Sequence, residues 1–160
     1  MTALAHRRAD AEDLRLVISS WLDSYRTAHA AGLIPMHMWR RTMRPVMSEI
    51  LARPTVEVIV AYHPGEDDRD SDLYGWIAIE RGHRWPHVIY AYTKHAYRGL
   101  GVARGLMSAA GIDPADVFTY ACKTGLVSDL APKIPRARWK PLISRLPPPR
   151  QHAEAATAAA

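Results

Sequence analysis

The stretch Tyr97-Arg98-Gly99-Leu100-Gly101-Val102-Ala103-Arg104-Gly105-Leu106-Met107 decides how this chain is read. It joins a β-branched, aromatic run to a helical stretch. Gly99 and Gly101 let the backbone turn tightly and approach a ligand closely. A helix starting at Val102 turns unpaired N–H groups toward the same place, where an anion is favoured. A diphosphate suits such a nest. The same strand–glycine–helix turn also arises for packing alone, so the spacing by itself leaves both readings open. A P-loop is excluded because no Gly-Lys-Ser/Thr follows. A dinucleotide fold is disfavoured because no later strand ends in a ribose-binding acid.

Working outward, His87 to Thr93 reads as the strand feeding the loop. Leu73 to Glu80 and Thr55 to Tyr62 are two further strands, and the polar Pro64–Asp72 turn between them predicts an antiparallel hairpin. Upstream, Leu14, Val17, Ile18, Trp21, Leu22 and Tyr25 recur at helical spacing after Asp10, an N-cap, and the helix ends near Gly32. Met36 to Ala52 is a second helical run, in which Pro45 predicts a kink or two short helices. His6 to Ala9 is a short first strand. Downstream, Gly111 and Pro114 stop the helix after the glycine loop. Asp116 to Thr124 is another strand, Gly125 to Ile134 a short helix, and Trp139 to Ser144 a last strand. The expectation is one α/β domain over 1–146 and a disordered Pro/Ala-rich tail over 147–160.

The 160 residues suffice for one core, and 48% of them are hydrophobic. Cys122 is the only cysteine, so no internal disulfide forms, as in a reducing compartment. The charged start (Arg7, Arg8, Asp10, Glu12, Asp13) argues against a signal peptide, and no apolar run reaches membrane-spanning length. The expectation is a cytoplasmic protein that uses no membrane. The net charge of +5 is uneven: seven basic residues lie between Lys123 and Arg150 against Asp129 alone. Such a face is either a solvated surface or an attraction for phosphates, an acidic protein or nucleic acid. No metal-ligand spacing and no nucleophile elbow is present.

The quoted stretch resembles the acetyl-CoA motif of the GCN5-related N-acetyltransferase (GNAT) superfamily, Arg/Gln-x-x-Gly-x-Gly/Ala, through Arg98, Gly101 and Ala103. The element order from His6 to Lys123 is similar too. A looser likeness to small bacteriophage-encoded acyltransferases rests on Ser20-Trp21-Leu22 and Tyr90-Ala91-Tyr92-Thr93-Lys94. The resemblance implies a mixed, mostly antiparallel central sheet flanked by helices, with a splayed V between the two strands flanking the loop helix. It implies acetyl-CoA as acyl donor, its diphosphate beside Arg98 and on the amides of Gly99, Leu100, Gly101, Val102 and Ala103. Its pantetheine arm would lie along Ala91, Tyr92 and Thr93.

The activity so implied is acyl-CoA-dependent transfer of an acetyl group to a primary amine by direct attack on the thioester. The family's carboxylate base falls eleven residues before Arg98, on His87. Strand alternation sets His87 on the face of Ala91 and Thr93. A histidine there accepts a proton near neutral pH; the other reading is a surface histidine beside Trp85 and Pro86. Glu80 is the second candidate base, against a solvated turn carboxylate. The family's late tyrosine is missing, since Tyr120 comes too early, and Thr124 and Ser128 are the nearest hydroxyls. Tyr90 and Tyr92 either line the acceptor side or pack on the first helix. Cys122 is either an acyl relay or an inert hydrophobe. Two alternatives stand beside this activity: an amine on a nucleic-acid base or tRNA, reached through Lys123–Arg150, and a catalytically silent CoA-binding or protein-interaction fold.

Overall fold

The computed structural model describes residues 4–28, 30–64, 73–122 and 134–141. Strand β1 (Ala5–Arg8) leads into helix α1 (Ala11–Ala28). The entry to α1 is a reciprocal cap. Asp10 Oδ1 accepts from the N–H groups of Glu12 and Asp13 (both 2.9 Å), and Asp13 Oδ2 accepts from Asp10 N–H (2.8 Å). This satisfies otherwise orphaned donors at the helix start. A 3-10 turn (Ala30–Leu33) precedes helix α2 (Met36–Leu51). In place of two short helices, α2 runs as one element through Pro45. Pro45 and Arg41, whose carbonyl loses its N–H partner, are both exposed, so water can serve that carbonyl.

Strands β2 (Val56–Tyr62), β3 (Leu73–Glu80) and β4 (His87–Thr93) pair antiparallel in sequence order. Helix α3 (Val102–Ala109) follows the glycine loop. It ends in a left-handed Gly111, with Ile112 N–H bonded to Met107 O and Gly111 N–H to Ser108 O. Strands β5 (Thr119–Tyr120) and β6 (Arg138–Trp139) add on in parallel, giving the order β1-β2-β3-β4-β5-β6. The strand expected from Asp116 is shorter than the sequence suggests. Asp116 N–H closes a turn onto Asp113 O, so pairing begins only at Thr119. The helix expected over 125–134 and the tail from 147 lie outside the described residues, apart from Ile134 at the edge.

The sheet has a core on each side. Val17, Trp21 and Leu22 of α1 and Trp39, Met47 and Ile50 of α2 pack on Val58, Val60, Trp76 and Ala78. Val102 and Leu106 of α3 pack on Ile59, Ala61, Ile77 and Ile79. The period of two along β2 and β3 assigns each side chain to its layer. In β4 that period breaks. Val88 pairs with Ile79 and Tyr90 with Ala78, so Ile89 is an extra residue. Ile89 and Tyr90 both face the α1 layer, while Val88 faces α3.

Candidate active site

The glycine loop forms because β4 ends against a 3-10 turn (His95–Tyr97), whose Tyr97 N–H bonds to Lys94 O. Gly99 (φ +80°) and Gly101 (φ +83°) then take left-handed conformations, and Gly101 is the N-cap of α3. A Cβ built on either glycine meets nothing within 4 Å. Glycine is therefore required by backbone angle, and the space above the loop is open. No side chain caps the start of α3, and Arg98, Gly99, Leu100, Gly101 and Ala103 are exposed, while Val102 is buried in the α3 core. An exposed loop leading into a helix start with no side-chain cap fits a phosphate group.

Gly105, further along the same stretch, has a different task. A Cβ there would lie 2.8 Å from His6 Nε2 and 3.1 Å from His6 Cε1. Glycine lets α3 sit directly on β1. His6 Nε2 is buried without a hydrogen-bond partner among the described residues, and burial holds its pKa below the ordinary value of 6.5.

Above the loop, β4 changes from an interior strand to an open edge. Its pairing with β5 covers only His87↔Thr119 and Val88↔Tyr120, after which Ala121 N–H bonds to Val88 O. From Ile89 to Thr93, no strand among the described residues lies on that side. Lys94 N–H donates to Tyr74 O on the β3 side. Strand geometry therefore turns the N–H and C=O groups of Ala91 and Thr93 to the other, open edge, and those of Tyr92 toward β3. Ala91 is exposed in the middle of the sheet.

His87 sits at the closed end of this gap, fully buried, with Nδ1 2.7 Å from Thr119 Oγ1. The Thr119 hydroxyl also lies 3.4 Å from Pro86 O, and the imidazole tautomer sets which partner donates in the His87–Thr119 bond. The extra residue Ile89 overturns the alternation argument: His87 faces the α1 layer, whereas Ala91 and Thr93 face α3. It is not a surface histidine either. Glu80 is its register partner, and is 7% exposed rather than solvated. Arg53 (3.6 Å) and His83 (3.4 Å) flank the Glu80 carboxylate. Thr124 and Ser128 lie outside the described residues.

The sequence reading missed the polar contacts behind β4. Tyr90 donates to Ser24 Oγ (3.0 Å), and Trp76 Nε1 donates to Ser20 Oγ (2.8 Å). Two serines on a helical stripe shared with Val17 and Trp21 were the available signal. Burial raises the Tyr90 pKa to about 12, despite the lowering effect of Ser24, and the phenol stays protonated. Tyr25 stacks on Trp39 at 5.9 Å and lies 6.2 Å from the Tyr90 ring. Burial also pushes the Cys122 thiol up to about 12, which deprives it of thiolate character at neutral pH. Among the described residues no cluster of three or more His, Cys, Asp or Glu is placed to hold a metal, and no helix is long and apolar enough to cross a membrane.

A mixed sheet with α3 on one face, α1 and α2 on the other, and a glycine loop between β4 and α3 is the fold of the GNAT acetyltransferases. The chain superposes on a proposed acetyl transferase of Pyrococcus furiosus with a TM-score of 0.62 at 12% identity, covering 82% of this chain and 91% of that one. It also superposes on the PaiA N-acetyltransferase of Thermoplasma acidophilum, solved with coenzyme A (TM-score 0.50, 19% identity, covering 68% of this chain and 70% of that one). No family model matches the sequence, and no curated protein sequence matches it.

Proposed function

We propose that the protein is an acetyl-CoA-dependent N-acyltransferase acting on a primary amine. One observation carries this reading: among the described residues β4 has no neighbour on that side after Val88 and runs, with outward-facing main-chain groups at Ala91 and Thr93, directly into the exposed left-handed glycine loop. A diphosphate on the amides at Gly99–Ala103 and an amide-bearing arm along Ala91 and Thr93 complete each other. The arm fills the edge as an added strand would, and the loop fixes its register. From Thr93 back to Ile89 the edge extends about 13 Å, at roughly 3.3 Å per residue. An arm of that length would reach as far as the extra residue Ile89, next to Tyr90 in the strand.

Bound acetyl-CoA supplies an activated acyl group as a thioester. The chain's residues hold the arm, exclude water from the closed end through the His87–Thr119 pair, and keep the phenol of Tyr90 as a neutral hydrogen-bonded wall. The amine attacks the carbonyl carbon, the C–S bond breaks, and the proton lost from nitrogen passes to solvent while the sulfur is protonated. His87 as the base is the less favoured arrangement, because its Nδ1 is committed to Thr119 and its ring lies under the sheet rather than beside the arm. Glu80 is held between Arg53 and His83.

The test is mass spectrometry of acetylated product and free CoA across a panel of primary amines. CoA release that depends on the amine supports the transferase. Tight CoA binding with no turnover on any amine supports the silent binder instead.

A further inference from the structure

One of the basic residues concentrated near the end of the chain, Arg138, gains an aromatic partner in three dimensions that the linear sequence does not display. Trp85, in the turn before β4, has the Arg84 guanidinium 4.9 Å from its ring centre and the Arg138 guanidinium, from β6, 5.1 Å away. A guanidinium stacked on an indole keeps its in-plane N–H groups directed outward, where they match phosphate oxygens. Among the described residues β6 ends the sheet, and it adds Trp139, half of whose surface is exposed, between the exposed Arg138 and Lys140. Next to Trp85 a cavity of about 330 Å³ is lined by Pro86, Phe118, Arg136, Asp113 and Asp116 among others. It combines apolar walls with both an arginine donor and carboxylate acceptors, the groups that read the edge of a nucleobase.

We propose that this face, Arg84-Trp85 with Arg136, Arg138, Trp139 and Lys140, binds single-stranded nucleic acid. The arginines and Lys140 track the phosphates, and Trp139 offers a flat stacking surface. Cations beside one exposed ring, Trp139, and around the half-buried Trp85 distinguish strand binding from a merely solvated basic surface. Duplex binding is less suited, because a stacking surface needs unpaired bases. An acidic peptide would engage the cations but has no base to lay on the Trp139 ring. The surface is separate from the glycine loop, which lies at the other end of β4.

The experiment is fluorescence anisotropy of a labelled oligothymidylate and a labelled oligouridylate against the full chain over a series of salt concentrations. Both should bind at low salt and weaken as salt rises. Arg84→Ser with Arg138→Ser should flatten the slope of log K against log salt by about 1.4, or roughly 0.7 for each phosphate that is no longer neutralised. Trp139→Ala should weaken binding roughly ten-fold with the slope unchanged, the signature of missing stacking. Acetyl-CoA binding by each variant, measured in parallel, confirms folding and should not change. Absence of binding at low salt overturns the proposal. So does competition by polyglutamate as strong per charge as by the oligonucleotide, which assigns the face to an acidic protein. Unaltered binding and slope in all the variants also overturns it.

Discussion

His87 Nδ1 and Thr119 Oγ1 meet at 2.7 Å across the first of the two described pairs that join β4 and β5. The contact ties the two strands together next to the stretch of β4 that has no neighbour on that side among the described residues. Thr119→Val keeps the shape and removes the hydrogen-bond partner of Nδ1. Thermal or chemical denaturation should show a loss of about 1–3 kcal/mol, the usual cost of leaving a buried polar group unmet. The rate–pH profile of the folded variant should match that of the parent. A shifted profile, or one abolished in His87→Ala while cofactor affinity persists, restores His87 to the role of base.

The contact of His6 with Gly105 gives a second prediction. Gly105→Ala places a methyl group 2.8 Å from His6 Nε2. Overpacking of this kind costs about 1–3 kcal/mol. His6→Ala should relieve it, so the double variant should be more stable than the sum of the single effects by at least about 0.5 kcal/mol. Additive effects would show that α3 does not rest on His6.

The same histidine sets a pH dependence. Its folded pKa lies below 6.5, so the unfolded chain binds the proton more readily than the folded one. Stability is then fully present above about pH 6.5 and declines as the pH falls below that value. His6→Gln should flatten this acid limb in denaturation measured across pH 5 to 7, a window set by the ordinary histidine value. An unchanged limb would assign it to other groups.

Cys122 should behave as an inert hydrophobe. With its thiol raised to about 12, alkylation of the folded protein near pH 8 should be orders of magnitude slower than of the unfolded chain, whose thiol titrates near 8.5. Cys122→Ala should keep its turnover. A trapped acyl-thioester on Cys122 would reverse this view.

Much of the fold was legible because local pattern and long-range burial agree. β3 and β4 occupy the spans that the sequence marks between turn residues, Leu73–Glu80 and His87–Thr93, and Asp10 caps α1 as its position after a short strand suggests. The glycines at 99 and 101 are left-handed, as a turn into a helix requires. What could not be read depends on distant partners. The extra residue Ile89 carries no sequence mark, because Val-Ile-Tyr is equally good strand with or without a register shift, yet it reverses the face of His87 relative to Ala91. β5 is short because the turn at Asp113–Asp116 delays its pairing, and that pairing is with a strand thirty residues earlier. Burial of Glu80 follows from Arg53 and His83 folding over it. Ser20 and Ser24 are ordinary helix residues until Trp76 and Tyr90 arrive beside them.

The central claim is that the glycine loop and the open edge of β4 hold acetyl-CoA, and titration calorimetry of wild type and Gly101→Asp tests it most directly. The substitution opposes the left-handed backbone at φ +83°, costing about 1–2 kcal/mol, and adds a negative charge where the diphosphate would sit. Circular dichroism first establishes that the variant is folded. The account predicts measurable binding by the wild type, with stability raised by roughly 2.7 kcal/mol when acetyl-CoA is present at about 100 times its dissociation constant. It predicts binding weakened at least about ten-fold in the variant, equivalent to 1.4 kcal/mol. No heat of binding and no thermal shift in the wild type, or equal affinity in a folded Gly101→Asp, would contradict it.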